Sequence, residues 1–384
     1  MIAMKPTTVP TAARAGLNYT RADFDHSPMI VFYEMTRACD LACKHCRANA
    51  QKRCHPDELT AGEAARLIQQ LTVFSKPPLL VLTGGDPLKR ADVFDLVDDA
   101  RARGLTVAMT PSATPRVTTN AVNRLQRAGL HRLAVSLDGA DADTHDGFRG
   151  VAGSFDCTFR ILADARACGL PCQVNTTITR HNVGQVDAMA ELLAKERIVL
   201  WSVFFLIPTG RATADQRISP HEYEQVFDKL ATHTRCQPYG IKTTEAPQYR
   251  RFLLQRYALE PKPLDAENVP GTTSPKYIGT NDGKGVMFIS HTGEIYPSGF
   301  LPIRCGQFPF DSVVRVYQDS AVFRALRDGD RLVGKCRACD FRHICGGSRA
   351  RAYAVTGNPL AAEPDCTYIP PTWNRSTESE LVNA

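Results

Sequence analysis

From Met29 to about Pro208 the chain alternates short apolar, often β-branched runs with longer amphipathic stretches, and that alternation narrows its fold more than any other feature. The runs are Ile30 to Met35, Leu79 to Thr83, Leu105 to Met109, Leu133 to Leu137, Gln173 to Ile178 and Leu200 to Leu206. Helical patterns lie between them at Ala61 to Phe74, Ala91 to Arg103, Ala121 to Gly129, Phe155 to Gly169 and Val183 to Arg197, several closing near a glycine that suits a helix C-terminus. Strands alternating with helices build βαβ units and a parallel sheet. Six such units predict an α/β fold, a partial (β/α)6 TIM-type barrel open on one side. Its active groups belong at the C-terminal ends of the strands.

After Thr209 the texture changes. His221 to Thr232 and Gln248 to Tyr257 read as helices, Asp265 to Asn281 as a linker, and Gly285 to Phe300 as a β-hairpin turning through His291-Thr292-Gly293. A short helix follows at Ala321 to Arg327. The expected organisation is an N-terminal extension (1–28), the barrel (29–260), a linker (261–281) and a small C-terminal α+β domain (282–384).

A chain of 384 residues accommodates one large domain of roughly 200 to 250 residues and a smaller one. The formal net charge of +6 comes without a long Lys/Arg block, so no nucleic-acid partner is expected, and an anionic small molecule suits the balance equally well. Residues before Ser27 hold no continuous apolar stretch of the kind a secretion signal needs. The longest apolar run, Val199 to Pro208, is about half the length of a bilayer span. A cytoplasmic protein without a membrane partner is expected, and its thirteen cysteines are not expected to form a disulfide framework there.

Three of those cysteines, Cys39, Cys43 and Cys46, follow the first strand with the spacing C-x3-C-x2-C. Three thiolates are too few to close a tetrahedral structural site, whereas an iron-sulfur cluster held by three cysteines keeps one iron open for another ligand. The plain alternative is a set of buried core cysteines. Lys44, His45, Arg47 and Asn49 argue against it, because they make the segment a polar loop whose cations favour thiolate. One βα unit later the second strand ends in Thr83-Gly84-Gly85-Asp86-Pro87. Two glycines there let backbone approach a ligand, and the proline fixes the turn after the acid.

With this triplet and this turn the chain resembles the radical S-adenosylmethionine (SAM) enzymes over roughly residues 29 to 370. The resemblance implies a [4Fe-4S] cluster on Cys39, Cys43 and Cys46 whose fourth iron is chelated by the amino and carboxylate groups of SAM. It matches Gly84, Gly85, Asp86 and Pro87 to the family's Gly-Gly-Glu-Pro turn, which contacts the methionine amino group. Asp86 in place of Glu shortens the reach by one methylene and keeps the charge. Ser136 and Asn175, in strands four and five, fall where the family binds the SAM ribose and carboxylate, and Arg149 and Arg211 are candidate carboxylate or substrate contacts. Against this stands the ordinary reading, in which a strand Ser or Asn satisfies local hydrogen bonds and a surface Arg is solvated.

A second cysteine group, Cys336-x2-Cys339-x5-Cys345 with Cys366 beyond twenty further residues, offers four thiolates, for which zinc and iron-sulfur are both chemically sound. A zinc ribbon pairs two C-x2-C knuckles, and this run has one. The resemblance implies an auxiliary [4Fe-4S] cluster like those of SPASM and twitch extensions. Ser298 and Arg349 stand where the full seven-cysteine SPASM pattern has ligands, so one auxiliary cluster is expected and Cys305 is expected to be free. Cys54, Cys157, Cys168, Cys172 and Cys236 lie outside either cluster, and Cys168-x3-Cys172, at a helix end and a strand start, reads as packing.

This reduced pattern, together with Phe341 to Ala352 and Thr356-Gly357, is similar to the branch that trims side chains of haem precursors, including the decarboxylating haem synthase and the haem d1 enzymes. It implies that SAM is cleaved reductively to a 5′-deoxyadenosyl radical that takes hydrogen from the substrate, and oxidative decarboxylation of a tetrapyrrole propionate as the reaction. The auxiliary cluster would collect the released electron or anchor the substrate, and a ferredoxin or flavodoxin would act as reducing partner. Modification of a ribosomal peptide or of a small metabolite such as a nucleoside or sugar is the enzymatic alternative. A non-catalytic iron-sulfur electron carrier or zinc-binding module is the alternative of another class, and it leaves the Gly84 to Pro87 turn without a purpose.

Overall fold

A computed structural model describes residues 19–258 and 279–373 of the chain. The six expected apolar runs form strands β1 (Ile30–Glu34), β2 (Leu79–Thr83), β3 (Thr106–Met109), β4 (Arg132–Ser136), β5 (Cys172–Ile178) and β6 (Leu200–Phe205). Each pairs in parallel with the next. Helices α1 (Ala61–Leu71), α2 (Val93–Ala102), α3 (Thr119–Arg127), α4 (Ala142–Arg149), α5 (Ser154–Ala167) and α6 (Val186–Ala194) supply the crossovers that parallel pairing requires. Along each strand alternate residues divide between two environments. Val31, Tyr33, Leu80, Leu82, Val135, Val174 and Trp201 belong to the main apolar core. Thr83, Ser136, Asn175, Thr177 and Phe204, out of phase with them, border a cavity at the strands' C-terminal ends. The result is a partial barrel with a core beneath its helices and an open mouth above its strands.

Two features enlarge the expected six-stranded sheet. Helix α7 (Pro220–Cys236) leads to a seventh parallel strand, β7 (Gly240–Thr244), beside β6, and α8 (Gln248–Ala258) follows it. In Gly-Ile-Lys-Thr-Thr only Ile241 is strongly apolar, so the strand gives no hydrophobic run. At the other edge the hairpin strands β8 (Val286–Ile289) and β9 (Glu294–Tyr296) do not form a sheet of their own. Strand β8 pairs in parallel with β1, Ile30 against Val286 through Tyr33 against Ile289, and short β10 (Gly306–Gln307) completes one ten-stranded sheet. The pairing covers the β1 edge that an open barrel would leave with unpaired amides and carbonyls.

The remaining C-terminal helices are α9 (Val313–Asp319), α10 (Ala321–Arg327), α11 (Gly334–Ala338) and α12 (Arg349–Thr356). They sit against the barrel, the Val313 N–H donating to Gln70 Oε1 of α1 at 3.0 Å. Of the expected linker, residues 261–278 lie outside the described residues, as do 1–18 of the N-terminal extension and 374–384 at the C-terminus. Among the described residues no helix is long and apolar enough to cross a membrane.

Candidate active site

The segment from Thr36 to Gln51 leaves β1 at the mouth of the barrel and is stitched by backbone bonds to the loops after three other strands. From the β2 turn, the Gly85 N–H donates to Thr36 O at 2.7 Å and the Asp86 N–H to Ala38 O at 2.7 Å. From α4, Arg149 O accepts from Ala42 N–H at 3.1 Å and Phe148 O from Lys44 N–H at 3.0 Å, while after β6 the Arg211 N–H donates to Cys46 O at 3.0 Å. Contacts this close leave no room for side chains. A Cβ on Gly85 would lie 2.7 Å from Arg37 O, and one on Gly210, whose φ is +64°, would lie 2.8 Å from the Arg47 carbonyl carbon. Gly85 of the turn and Gly210 after β6 therefore serve the cysteine loop's backbone as much as any ligand.

Cys39, Cys43 and Cys46 border one cavity of about 950 Å³ that opens toward solvent. Burial pushes the Cys39 and Cys43 thiols up from their usual range. Near Cys43 the opposing influence is Arg149, whose Nη1 stands 3.7 Å from its Sγ. Iron is what would convert such buried thiols to thiolates, since metal ligation and thiol deprotonation are coupled. Three thiols on one side of an open cavity suit a cluster with an exposed iron.

Gly84, Gly85, Ser136, Asn175, Arg149 and Arg211 border the same cavity. Asp86 is placed differently. It is fully buried, its Oδ1 accepts from the Leu88 N–H at 3.2 Å, and its Oδ2 accepts from Thr114 Oγ1 at 3.0 Å. Its short side chain thus caps the turn it belongs to, with Pro87 opening the 3-10 turn that follows. Arg149 pairs with Asp138 at 2.5 Å. Burial works against the Asp138 charge, yet that guanidinium holds its carboxyl below the usual range.

Three further residues stand at the cavity: Ser112, which the sequence does not single out, and His45 and Arg47, which it offers only as cations of the cysteine loop. Ser112, three residues beyond β3, donates from Oγ to Gly85 O at 2.7 Å and stands 3.1 Å from Cys39 Sγ. Its place just past a strand end was the available signal. His45 stacks on Phe148 at 4.2 Å with its ring planes 2° apart, and burial lowers its pKa to about 4, so the ring is neutral. Its Nδ1 is buried and has no hydrogen-bond partner among the described residues. Arg47 pairs with buried Glu34 at 3.0 Å and lies over the Phe288 ring at 4.6 Å. Burial opposes the Glu34 charge, but Arg47 and His291 beside it bring its pKa down to about 2. Among the described residues Arg211 has no carboxylate partner, and its Nε and Nη2 are buried without hydrogen bonds.

The second cysteine group lies elsewhere. Cys336, Cys339, Cys345 and Cys366 ring a separate cavity of about 380 Å³. Burial raises the Cys366 thiol and pushes Cys339 up to about 11. Among the described residues no three His, Cys, Asp or Glu side chains gather closely enough to hold a single metal ion. None of the thirteen cysteines forms a disulfide.

A parallel partial barrel with a three-cysteine loop after its first strand and a Gly-Gly turn after its second is the architecture of an enzyme that cleaves SAM. The chain belongs to the radical SAM superfamily, which it matches over residues 33–193, and a [4Fe-4S] cluster and SAM are the cofactors of that class. It is 37% identical over 350 residues to the AdoMet-dependent heme synthase of Nitratidesulfovibrio vulgaris, an alignment covering 90% of this chain and 94% of that protein. To the AdoMet-dependent heme synthase of Methanosarcina barkeri it is 35% identical over 345 residues, 90% of this chain and 98% of that one. Its fold is similar to the crystal structure of Streptococcus suis SuiB bound to S-adenosylmethionine, with a TM-score of 0.68 at 16% identity over 89% of this chain and 78% of that one.

Proposed function

We propose that this radical SAM enzyme oxidatively decarboxylates propionate side chains of a tetrapyrrole. The observation that carries the reading is the charge balance of the main cavity. Of its three arginines, Arg47 is neutralised by Glu34 and Arg149 by Asp138, whereas Arg211 presents buried, unpartnered nitrogens. A cation left so in a partly closed site calls for an anion. Beyond it the wall is apolar, with Phe204, Leu206, Ile207 and Phe300. A carboxylate on a broad apolar body fits that pairing, and the names of the two relatives point to the same class of ligand. In this reading SAM and substrate occupy the cavity together, SAM on the Gly84 and Gly85 side and substrate toward Phe204 and Phe300.

In this reading Cys39, Cys43 and Cys46 hold the SAM-binding cluster, and Gly84 and Gly85 present backbone to the methionine amino group. Ser136 and Asn175 meet the ribose and carboxylate of SAM, and Asp86 and Pro87 shape the turn. Cys336, Cys339, Cys345 and Cys366 hold one auxiliary [4Fe-4S] cluster. Their ring around a cavity suits a cluster better than a lone zinc, whose 2.3 Å bonds would set tetrahedral sulfurs about 3.8 Å apart. When bound, these groups supply a 5′-deoxyadenosyl radical and a destination for an electron. Each propionate –CH2–CH2–COO⁻ gives up one hydrogen atom, one CO2 and one electron and becomes –CH=CH2. Arg211 orients the carboxylate, and the phenylalanine wall keeps water from the reacting carbon.

The test is anaerobic incubation of the reconstituted protein with SAM, dithionite and an iron porphyrin bearing propionates. One CO2 is expected for each vinyl group formed. Formation of 5′-deoxyadenosine with the porphyrin unchanged would overturn the substrate assignment.

A further inference from the structure

Twenty residues separate Cys366 from Cys345, and no local turn motif delivers it to the other three cysteines. Lys335, beside Cys336, donates to Cys366 O, and the segment leading to Cys366 is held by a buried ionic network. The Arg351 side chain is wholly buried, its Nη1 donating to both Glu363 oxygens at 3.1 Å and its Nε standing 3.3 Å from Asp365 Oδ2. Arg217, in the loop after β6, takes the other Asp365 oxygen at 2.7 Å. Two arginines thus clamp two carboxylates, Glu363 and Asp365, each nearly inaccessible to solvent. Both carboxylates lie within three residues of Cys366.

The same network reaches the rest of the cysteine cavity and the barrel. The Glu363 N–H donates to Cys336 Sγ at 3.3 Å, and its Oε2 accepts from the Ser348 N–H at 2.6 Å at the start of α12. On the barrel side Arg351 Nη2 donates to Glu245 O at 2.6 Å, just beyond β7, and to Phe205 O at 3.4 Å, at the end of β6. Phe205 borders the SAM cavity. Buried charges are kept only where the geometry repays desolvation, and here the carboxylates of one short segment face guanidiniums anchored on the barrel.

We propose that Arg351 and Arg217 are positioning residues for the auxiliary cluster, holding Glu363 to Cys366 against the ends of β6 and β7 so that Cys366 closes the four-cysteine site. The proposal rests on the reading of those four cysteines as one cluster's ligands. It makes the completeness of the C-terminal site depend on the ends of β6 and β7 as well as on the cysteine segment itself.

The test uses the full chain with Cys39, Cys43 and Cys46 replaced by alanine, so that only the auxiliary cluster remains. Iron content and the electron paramagnetic resonance spectrum are recorded for that protein and for Cys366→Ala, Arg351→Met, Arg351→Lys and Arg217→Met made in it. With four thiolates the cluster stays silent and keeps about four irons through mild ferricyanide oxidation; with three, the iron that lacks a thiolate is open and that oxidation releases it, giving a [3Fe-4S] signal. The expected result is that signal in Cys366→Ala, in Arg351→Met and, in part of the protein, in Arg217→Met, with Arg351→Lys restoring the four-iron form in part. Arg217 is the gentler site, because it touches only Asp365 among the clamped acids, so it decides the matter should Arg351→Met fail to fold. A changed spectrum in Cys366→Ala with wild-type spectra in the arginine variants would overturn the positioning role alone. An unchanged cluster in Cys366→Ala would overturn the ligand reading and the proposal with it.

Discussion

Cys43→Ala reduces 5′-deoxyadenosine formation from SAM to the protein-free background, and the iron content of the reconstituted enzyme falls from about eight to about four per chain. The structure makes this substitution a clean one. Cys43 is buried, but its loop is held by backbone bonds on either side, from Ala42 N–H to Arg149 O and from Lys44 N–H to Phe148 O. Alanine keeps both. Arg149 loses a contact to sulfur and retains its pair with Asp138. The variant therefore folds, keeps the C-terminal iron and fails in one respect only, since two remaining cysteines cannot hold the cluster. Measured iron, circular dichroism and deoxyadenosine together check it. Cleavage persisting in the variant would mean that the three-cysteine loop is not the site of electron delivery to SAM.

Arg211→Gln separates stability from function with opposite signs. The native guanidinium has two buried nitrogens without partners, a costly arrangement in the absence of ligand. Glutamine removes the charge while keeping a polar head, so the ligand-free variant melts no lower than the wild type. A charge-assisted contact to carboxylate contributes about 1.5–3 kcal/mol, which corresponds to a Kd weaker by about 12- to 140-fold for the ligand that uses it. Binding measured separately for SAM and for a porphyrin propionate identifies which carboxylate that is. Unchanged affinity for both would show that Arg211 has no anion to hold.

The strands buried beneath helices were legible because burial on both faces leaves an uninterrupted apolar run, as in Leu79 to Leu82. β7 was not, because its lumen-side positions, Lys242 and Thr244, are polar and its apolar content is reduced to Ile241. α4 was missed for a related reason: its eight residues bury only His145 and Phe148. Its ends were readable in principle, with Asp141 accepting from the Thr144 N–H at 2.8 Å and Gly150 in the left-handed region after the last turn. That omission matters, because α4 carries Phe148 and Arg149 to the cysteine loop.

β8 was recognised as a strand, yet its parallel partner β1 lies some 250 residues away, and nothing local encodes such a pairing. In the site the cysteines were legible from their spacing, since ligands of one cluster must be close in a loop. Ser112 and Arg47 were not, because a lone serine or arginine carries no spacing signal; only the fold brings them to Cys39 and Glu34. The Arg351 network is of the same kind, assembled from the loop after β6, the helix α12 and the tail at Glu363 to Cys366.

The most direct test of the account follows one hydrogen. An iron porphyrin carrying deuterium on the propionate carbon β to the carboxylate is turned over with SAM by the reconstituted enzyme, and the 5′-deoxyadenosine is weighed by mass spectrometry alongside the CO2 released. The account predicts one deuterium in each 5′-deoxyadenosine and one CO2 for each deuterium transferred. Decarboxylated product accompanied by unlabelled 5′-deoxyadenosine would contradict it.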